Sequence, residues 1–302
     1  MNLPKVQIAI LTRNRSDLVT KTLKSILKQT FKDIQVIISD NSTDNCTYQA
    51  INQQFPCISN LQYVRRVPCF QDFFQHANKI ISEIESEYFM LFHDDDLMLP
   101  DLVKKSVEAL DKNKELIAVA SNAYNIDING NILGKFSEKK KRLQIDSAEK
   151  LISLYSNNNS LPFPSYMYRT SKIKKLLFDS QKGGKYSDSC FILDLLDYGD
   201  ILFLYDFYGM LYRRSDFQDS HFMDVKARCK QIKYFAKKTN INYHSHIISK
   251  WRLKEIYTYF YLEKKPVRRI ILKLFFKNHL YKLFLKSIIK KILIKWKLFT
   301  SK

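Results

Sequence analysis

Three consecutive carboxylates, Asp94, Asp95 and Asp96, follow the apolar run YFMLF (residues 88–92) and His93 in a chain whose formal net charge is +20. Neighbouring like charges repel, and placing them at the end of a buried segment costs stability unless a cation or hydrogen-bond donors compensate. A hard divalent ion, Mg²⁺ or Mn²⁺, is the simplest compensation. Such ions take oxygen ligands, are held by one or two carboxylates and leave positions open to phosphate oxygens. The alternative is a solvated acidic turn that caps the helix starting near Pro100. A second polar constellation, Ser39-Asp40-Asn41-Ser42-Thr43-Asp44, also ends an apolar run, and alone it reads as a loop with capping residues. A third candidate is Asp188, which follows Gly183-Gly184 and opens an apolar stretch. A carboxylate there can serve as a general base or merely as a helix N-cap.

The elements that must position these groups alternate in type. Residues 6–11, 34–39, 61–65, 88–92 and 116–120 are apolar or β-rich runs of strand length, as expected for strands covered on both faces. Ser16-Asp17 starts a helix between the first two, and Pro100-Asp101 starts another that runs to about Asn113. This rhythm predicts βαβ units and a mostly parallel sheet, with ligands bound outside the carboxyl ends of the strands, where Asp40 and the acidic triplet fall. Asn129-Gly130 between alternating apolar positions predicts a hairpin over 125–136. A loop then leads into a strand over 161–168, a helix spans 189–198 and a further strand spans 201–205.

Composition excludes several classes. With 302 residues and 45% hydrophobic content the chain can bury a sizeable core. Its apolar runs fall short of the ~18 residues of a membrane span, and the N-terminus lacks a signal-peptide pattern, so a cytoplasmic protein is expected. Five cysteines without a C-x-x-C suggest neither a disulfide framework nor a zinc site. All six glycines lie beyond residue 129, which excludes a Gly-rich phosphate loop after the first strand.

The arrangement AILTRNRSDLVTKTLKSILKQTFKDIQVIISDNSTDN (9–45), FQDFFQHANKI (70–80) and YFMLFHDDDLMLPD (88–101) resembles family 2 glycosyltransferases of the GT-A fold, of bacterial surface-polysaccharide type. The likeness is close over the first 125 residues and looser over 160–215. It implies an α/β fold with one Rossmann-like, mostly parallel sheet flanked by helices and a C-terminal helical extension. Residues 1–218 would form the catalytic domain, with a nucleotide-sugar half (1–125) and an acceptor half (126–218), followed by an extension over 219–302. The resemblance implies that Thr12, Arg13, Asn14 and Asp40 hold the nucleobase and ribose of a nucleoside diphosphate-sugar, a UDP-sugar being favoured. Arg65 and Asp72 would line the diphosphate pocket. Asp96 would ligate Mn²⁺ or Mg²⁺ directly, with Asp94 near ribose or metal and Asp95 shaping the donor-binding turn. Asp188 would be the catalytic base of an inverting transfer, although Ser187 replaces the usual preceding acid. Arg213 would approach the diphosphate, while His93 would pack against or orient the acidic cluster and His221 would be structural.

The positive charge is concentrated at one end. Residues 264–302 contain 13 Lys and Arg and no Asp or Glu, leaving 37 basic against 30 acidic residues elsewhere. From Tyr281, the residues Leu285, Ile288, Ile289, Ile292, Trp296 and Phe299 share a helical face opposite Lys282, Lys286, Lys290 and Lys297. This pattern suits an anionic membrane surface, and with it a lipid-linked or other growing glycan as acceptor at the inner face of the plasma membrane. Packing of the apolar stripe on the catalytic domain is the alternative. Two other readings remain open: a sugar-phosphate nucleotidyltransferase, against which the missing glycines weigh, and a basic nucleic-acid-binding protein. The latter is not expected, because the tail's aromatics lie within the apolar stripe.

Overall fold

The structure is a computed structural model that describes residues 3–214, 224–242 and 245–257. Its strands are β1 (Val6–Thr12), β2 (Ile34–Asp40), β3 (Leu61–Arg65), β4 (Tyr88–His93), β5 (Leu97–Met98), β6 (Leu116–Ile126), β7 (Ile132–Lys135), β8 (Leu143–Ile145), β9 (Met167–Arg169) and β10 (Asp200–Arg213). The helices are α1 (Ser16–Ile26), α2 (Cys46–Gln54), α3 (Phe73–Glu83), α4 (Leu102–Lys112), α5 (Ala148–Ser156), α6 (Thr170–Ile173), α7 (Ser180–Gly183), α8 (Ser187–Leu195), α9 (Val225–Lys238) and α10 (His246–Tyr257).

One sheet carries the fold, in the order β3-β2-β1-β4-β9-β6-β10-β5, with β7 on β6 and β8 on β10. β3, β2, β1 and β4 are mutually parallel, as are β6 and β10, while β9 runs antiparallel between β4 and β6. The period of two in each strand feeds two cores. Val6, Ile8 and Ile10 of β1 join Tyr88, Met90 and Phe92 of β4 on the face covered by α1 and α4. Ala9, Leu11, Phe89 and Leu91 join the opposite core, where α3, α5, α8, α9 and α10 pack. Because both faces are covered, the strands read as continuous apolar runs. The helices supply the matching stripes: Val19, Leu23 and Ile26 of α1, and Leu102, Val103, Val107 and Leu110 of α4, are buried at spacings of three and four.

Register places the chemistry at one edge. Thr12 pairs with Asp40 and Leu11 with His93, so the carboxyl ends of β1, β2 and β4 finish side by side. The central strands start as expected and run longer at two points, β6 to Ile126 and β10 to Arg213. β10 bulges between Leu204 and Met210, and a side chain at Gly209 would come within 2.5 Å of Leu102 and Ser121. α4 begins at Leu102 with Asp101 as its N-cap, so Pro100 precedes the cap instead of occupying the first turn. The helix expected over 189–198 starts at Ser187 and ends at Leu195. Among the described residues no helix is long and apolar enough to cross a membrane. The amphipathic tail and His221 lie outside the described residues.

Candidate active site

The acidic triplet is a short turn between β4 and β5, pinned from two sides. Below it, the Thr22 hydroxyl of α1 lies 2.9 and 2.7 Å from the carbonyl oxygens of Asp94 and Asp96. Beside it, the antiparallel pairing of β5 with β10 delivers Arg213. Its backbone N–H donates to Asp96 Oδ1 at 2.8 Å, and its guanidinium donates to the carbonyls of Asp95, Asp127 and Ile128 at 2.8–2.9 Å. Arg213 therefore fastens the turn through backbone carbonyls and is itself buried.

The three carboxylates are held differently. Asp94 is buried and accepts from Thr12 Oγ1 at 2.8 Å and from the Arg15 guanidinium at 3.0 Å. Burial pushes its carboxyl up to about 6 in spite of Arg15. Asp95 is half-buried, 3.6 Å from Arg15. Asp96 is fully buried, and its Oδ2 has no hydrogen-bond partner among the described residues. Burial first, then the charge of Asp95, raises its carboxyl well above the usual range.

His93 Nδ1 stands 3.7 Å from Asp96 Oδ2, and burial holds its imidazole below its ordinary value, toward the neutral form that can donate a lone pair to a metal. His93, Asp95 and Asp96 present ligand atoms that all lie within 4.8 Å of one another. An orphaned buried oxygen among like charges is what a divalent ion would satisfy, so these residues fit one. Asp94, expected beside Asp96 on the metal, accepts from Thr12 and Arg15 and is not among these three residues, whereas His93 is.

At the end of β2, Asp40 is fully enclosed. Its Oδ1 accepts from the backbone N–H and hydroxyl of Ser42, and its Oδ2 accepts from the Tyr63 hydroxyl and from Arg65 at 2.7 Å. Four donors fill the carboxylate's acceptor sites, so a further donor must displace one of them. Asn14, at φ 54°, locks the first loop to the second: its N–H donates to Ser42 Oγ at 2.7 Å and its side-chain oxygen accepts from Thr43 N at 2.9 Å. Arg13 is exposed. Asp72 is the exposed N-cap of α3, accepting from Gln75 N at 2.8 Å. The next residue, Phe73, meets the His93 ring edge-on at 6.2 Å.

Asp188 sits in the first turn of α8, with Ser189 N–H donating to its Oδ1 at 2.7 Å. The residue is half-buried at the surface, but burial of its carboxyl raises its pKa above the ordinary value. Its charge acts on the buried phenols of Tyr155, Tyr166 and Tyr168, and the hydroxyls of Tyr166 and Tyr168 have no hydrogen-bond partner among the described residues. Aromatic packing connects α8 to the acidic turn. His93 touches Phe163 (6.1 Å), Phe163 touches Phe178 (5.8 Å), and Phe178 stacks on Phe191 of α8 at 4.3 Å. Asp194, on the same helix, is a structural acid held by Lys182 at 2.6 Å and by Tyr234.

Sequence reasoning missed Arg15 and Tyr63. Arg15 was visible only as one more basic residue ahead of a helix, and Tyr63 as a strand residue whose partner lies in the neighbouring strand.

The sequence model of glycosyl transferase family 2 matches residues 7–177, more than half of the chain. The chain belongs to glycosyl transferase family 2. The match reaches well past residue 125 into the half where the likeness had been looser. An uncharacterized glycosyltransferase of Methanocaldococcus jannaschii is 25% identical over 189 residues, 60% of this chain and 61% of that protein. A GalNAc(5)-diNAcBac-PP-undecaprenol beta-1,3-glucosyltransferase of Campylobacter jejuni is 25% identical over 156 residues, 51% of this chain and 50% of that protein. The matches thus span only about half to three-fifths of these relatives. Among solved structures, S. aureus TarS 1–349 in complex with UDP-GlcNAc superposes with a TM-score of 0.62 at 17% identity, covering 86% of this chain and 76% of that one. The mannosyltransferase PcManGT of Pyrobaculum calidifontis, in complex with GDP-Man and Mn²⁺, gives 0.54 at 12% identity, covering 99% and 83%. These likenesses establish the GT-A fold.

Proposed function

We propose that this glycosyltransferase moves a sugar from a UDP-sugar to a hydroxyl of a growing, lipid-linked glycan, by a metal-assisted inverting displacement at the cytoplasmic face of the membrane. The observation that carries the metal assignment is the buried, unpartnered Oδ2 of Asp96 beside Asp95 and His93. The UDP-GlcNAc complex of TarS supports the donor class, and the undecaprenol-linked substrate named for the Campylobacter relative supports the acceptor class. Surface-polysaccharide synthesis is the process that such chemistry serves. The proposed division is a catalytic domain over 1–218 and a helical extension over 219–302, whose basic segment 264–302 contacts anionic lipid.

A divalent ion, Mn²⁺ or Mg²⁺, held by Asp96 with Asp95 and His93 would neutralise the charge that develops on the departing nucleoside diphosphate. The chain's own residues do the rest. Thr12 and Arg15 hold Asp94 toward the ribose side of the site. Asp40, with Arg65, Tyr63 and the loop of Thr12, Arg13 and Asn14, frames the nucleobase, whose imide N–H takes over the acceptor site now occupied by Tyr63. Asp72 orients the start of α3 and the Phe73 ring at the mouth. Asp188 accepts the proton of the acceptor hydroxyl as its oxygen attacks the anomeric carbon from the side opposite the diphosphate. Its raised pKa makes it a stronger base than an exposed carboxylate.

The test is the divalent-dependent hydrolysis or transfer of a UDP-sugar by Asp96→Ala. Loss of activity that added Mn²⁺ cannot restore is expected, and full activity would reject the metal assignment.

A further inference from the structure

Three of the eight large exposed hydrophobic side chains among the described residues sit on one small element. Ile128, Ile132 and Leu133, exposed by 71, 64 and 60%, occupy the hairpin formed by the end of β6 and by β7. The turn is built, not loose. The Asp127 carboxylate accepts from the backbone N–H groups of Asn129 and Asn131 at 2.8 Å each, and Gly130 takes φ +94°. Among the described residues β7 pairs only with β6, the ladder is bulged at Leu133, and both Ile132 and Leu133 stay exposed. Apolar side chains this exposed have no role in the core.

The chain beyond the tip is cationic. Between residues 128 and 142 stand Lys135, Lys139, Lys140, Lys141 and Arg142, against a single acid, Glu138. Lys140 and Lys141 are exposed, whereas Lys135 approaches Glu138 at 3.6 Å and Arg142 pairs with Asp206 at 3.0 Å. The base of the arm is rigid. Buried Asn122 donates to Ser137 O at 2.8 Å and accepts from Ser137 N at 3.1 Å, and the Arg214 guanidinium lies over the rings of Phe136 and Tyr212. The Arg213 guanidinium that grips the carbonyls of Asp127 and Ile128 also grips that of Asp95. The arm is therefore fixed to the acidic turn through one side chain.

We propose that the 126–142 hairpin docks the enzyme on an anionic lipid surface. Ile128, Ile132 and Leu133 enter the headgroup region while the following lysines meet lipid phosphates. Aliphatic residues beside a basic run match the chemistry of the interface, whereas a nucleic-acid site would need stacking rings at the tip. Because Arg213 couples the arm to the acidic turn, docking fixes the distance of the reaction centre from the membrane plane. This inference rests on the reading of a lipid-linked acceptor and adds a contact separate from residues 264–302.

Hydrogen–deuterium exchange of the full chain, with vesicles of phosphatidylcholine and phosphatidylglycerol, tests it peptide by peptide. At least severalfold slower exchange over 126–142 is expected, weaker on phosphatidylcholine alone, and lost in the double variant Ile132→Ser/Leu133→Ser. Protection confined to 264–302, equal protection by soluble heparin, or protection that grows with protein concentration without vesicles would overturn the docking. The double variant should keep divalent-dependent UDP-sugar hydrolysis in solution. If the wild type fails to bind or hydrolyse any UDP-sugar, the functional reading falls, while the exchange experiment still decides the docking.

Discussion

The edge proposed for the donor and the edge proposed for the acceptor are built on opposite principles. Around Asp40, Asp94 and Asn14 nearly every polar atom is claimed by a neighbouring loop or strand, through bonds of 2.7–3.0 Å. Asp188 accepts from the backbone N–H of the next residue, is desolvated by burial, and feels the charge of Arg228 while its own charge acts on the phenols of Tyr155, Tyr166 and Tyr168. A site that reads a fixed ligand such as a nucleotide gains from groups that need no rearrangement. A proton acceptor gains from poor solvation, which raises its basicity. Asp96 stands between the two, with one oxygen bonded and one orphaned.

Substitutions can break this contrast in order of effect. Asp188→Asn should lower transfer by roughly 10²–10⁴-fold while leaving UDP and Mn²⁺ binding unchanged, as steady-state kinetics beside calorimetry would show. Equal losses in binding and turnover would erase the distinction between the edges.

The second effect concerns stability. Asp188 has a folded pKa raised above 3.8, so its ionisation costs folding free energy as pH rises through the folded value and costs nothing below the unfolded one. Asp188→Asn should therefore raise the melting temperature at neutral pH and not at pH values below the ordinary carboxylate range. In the wild type, kcat should rise with pH about a midpoint above that range, because the base works deprotonated.

Phe191→Ala removes a buried ring stacked on Phe178 and should cost about 3–5 kcal/mol in chemical denaturation. It should also depress transfer more than nucleotide binding, since it loosens α8 and not the donor loops. Arg15→Gln is a subtler probe. Its guanidinium partly neutralises Asp94 and Asp95, so its loss should strengthen Mn²⁺ binding to the free enzyme severalfold and weaken UDP binding, giving the two ligands less cooperativity in a paired titration. Tyr63→Phe should be the mildest. It vacates one acceptor site on Asp40, and the affinity for uridine nucleotides should stay level or rise slightly.

The donor edge was legible because each of its groups ends a continuous apolar strand, and register in a parallel sheet turns such ends into neighbours. The acidic triplet, within which the family resemblance pointed to Asp96, could be singled out on that logic. The role of Asp94 could not, since it depends on Thr12 and Arg15, 82 and 79 residues away. The lengths of β6 and β10 were underestimated because their polar outer halves, SNAYN and DFYG, are strand through pairing with each other, not through pattern. Arg213 was expected at the diphosphate. It serves the turn from behind because the bulged β10 carries it past β5. On the side proposed for the acceptor, a Gly-Gly step, a following apolar helix and the resemblance pointed to Asp188, but the aromatic path joining its helix to His93 runs through four separate segments that only the folded chain assembles.

The central claim is that the acidic turn is built to receive a metal together with a nucleoside diphosphate. Calorimetric titration of UDP into the wild-type chain, with and without Mn²⁺, tests it most directly. The account predicts that Mn²⁺ tightens UDP binding by about tenfold or more, as expected of a coupling of about 1–3 kcal/mol, and that Asp96→Ala abolishes the gain. UDP binding of equal strength without the ion, or a gain that survives in Asp96→Ala, would contradict it.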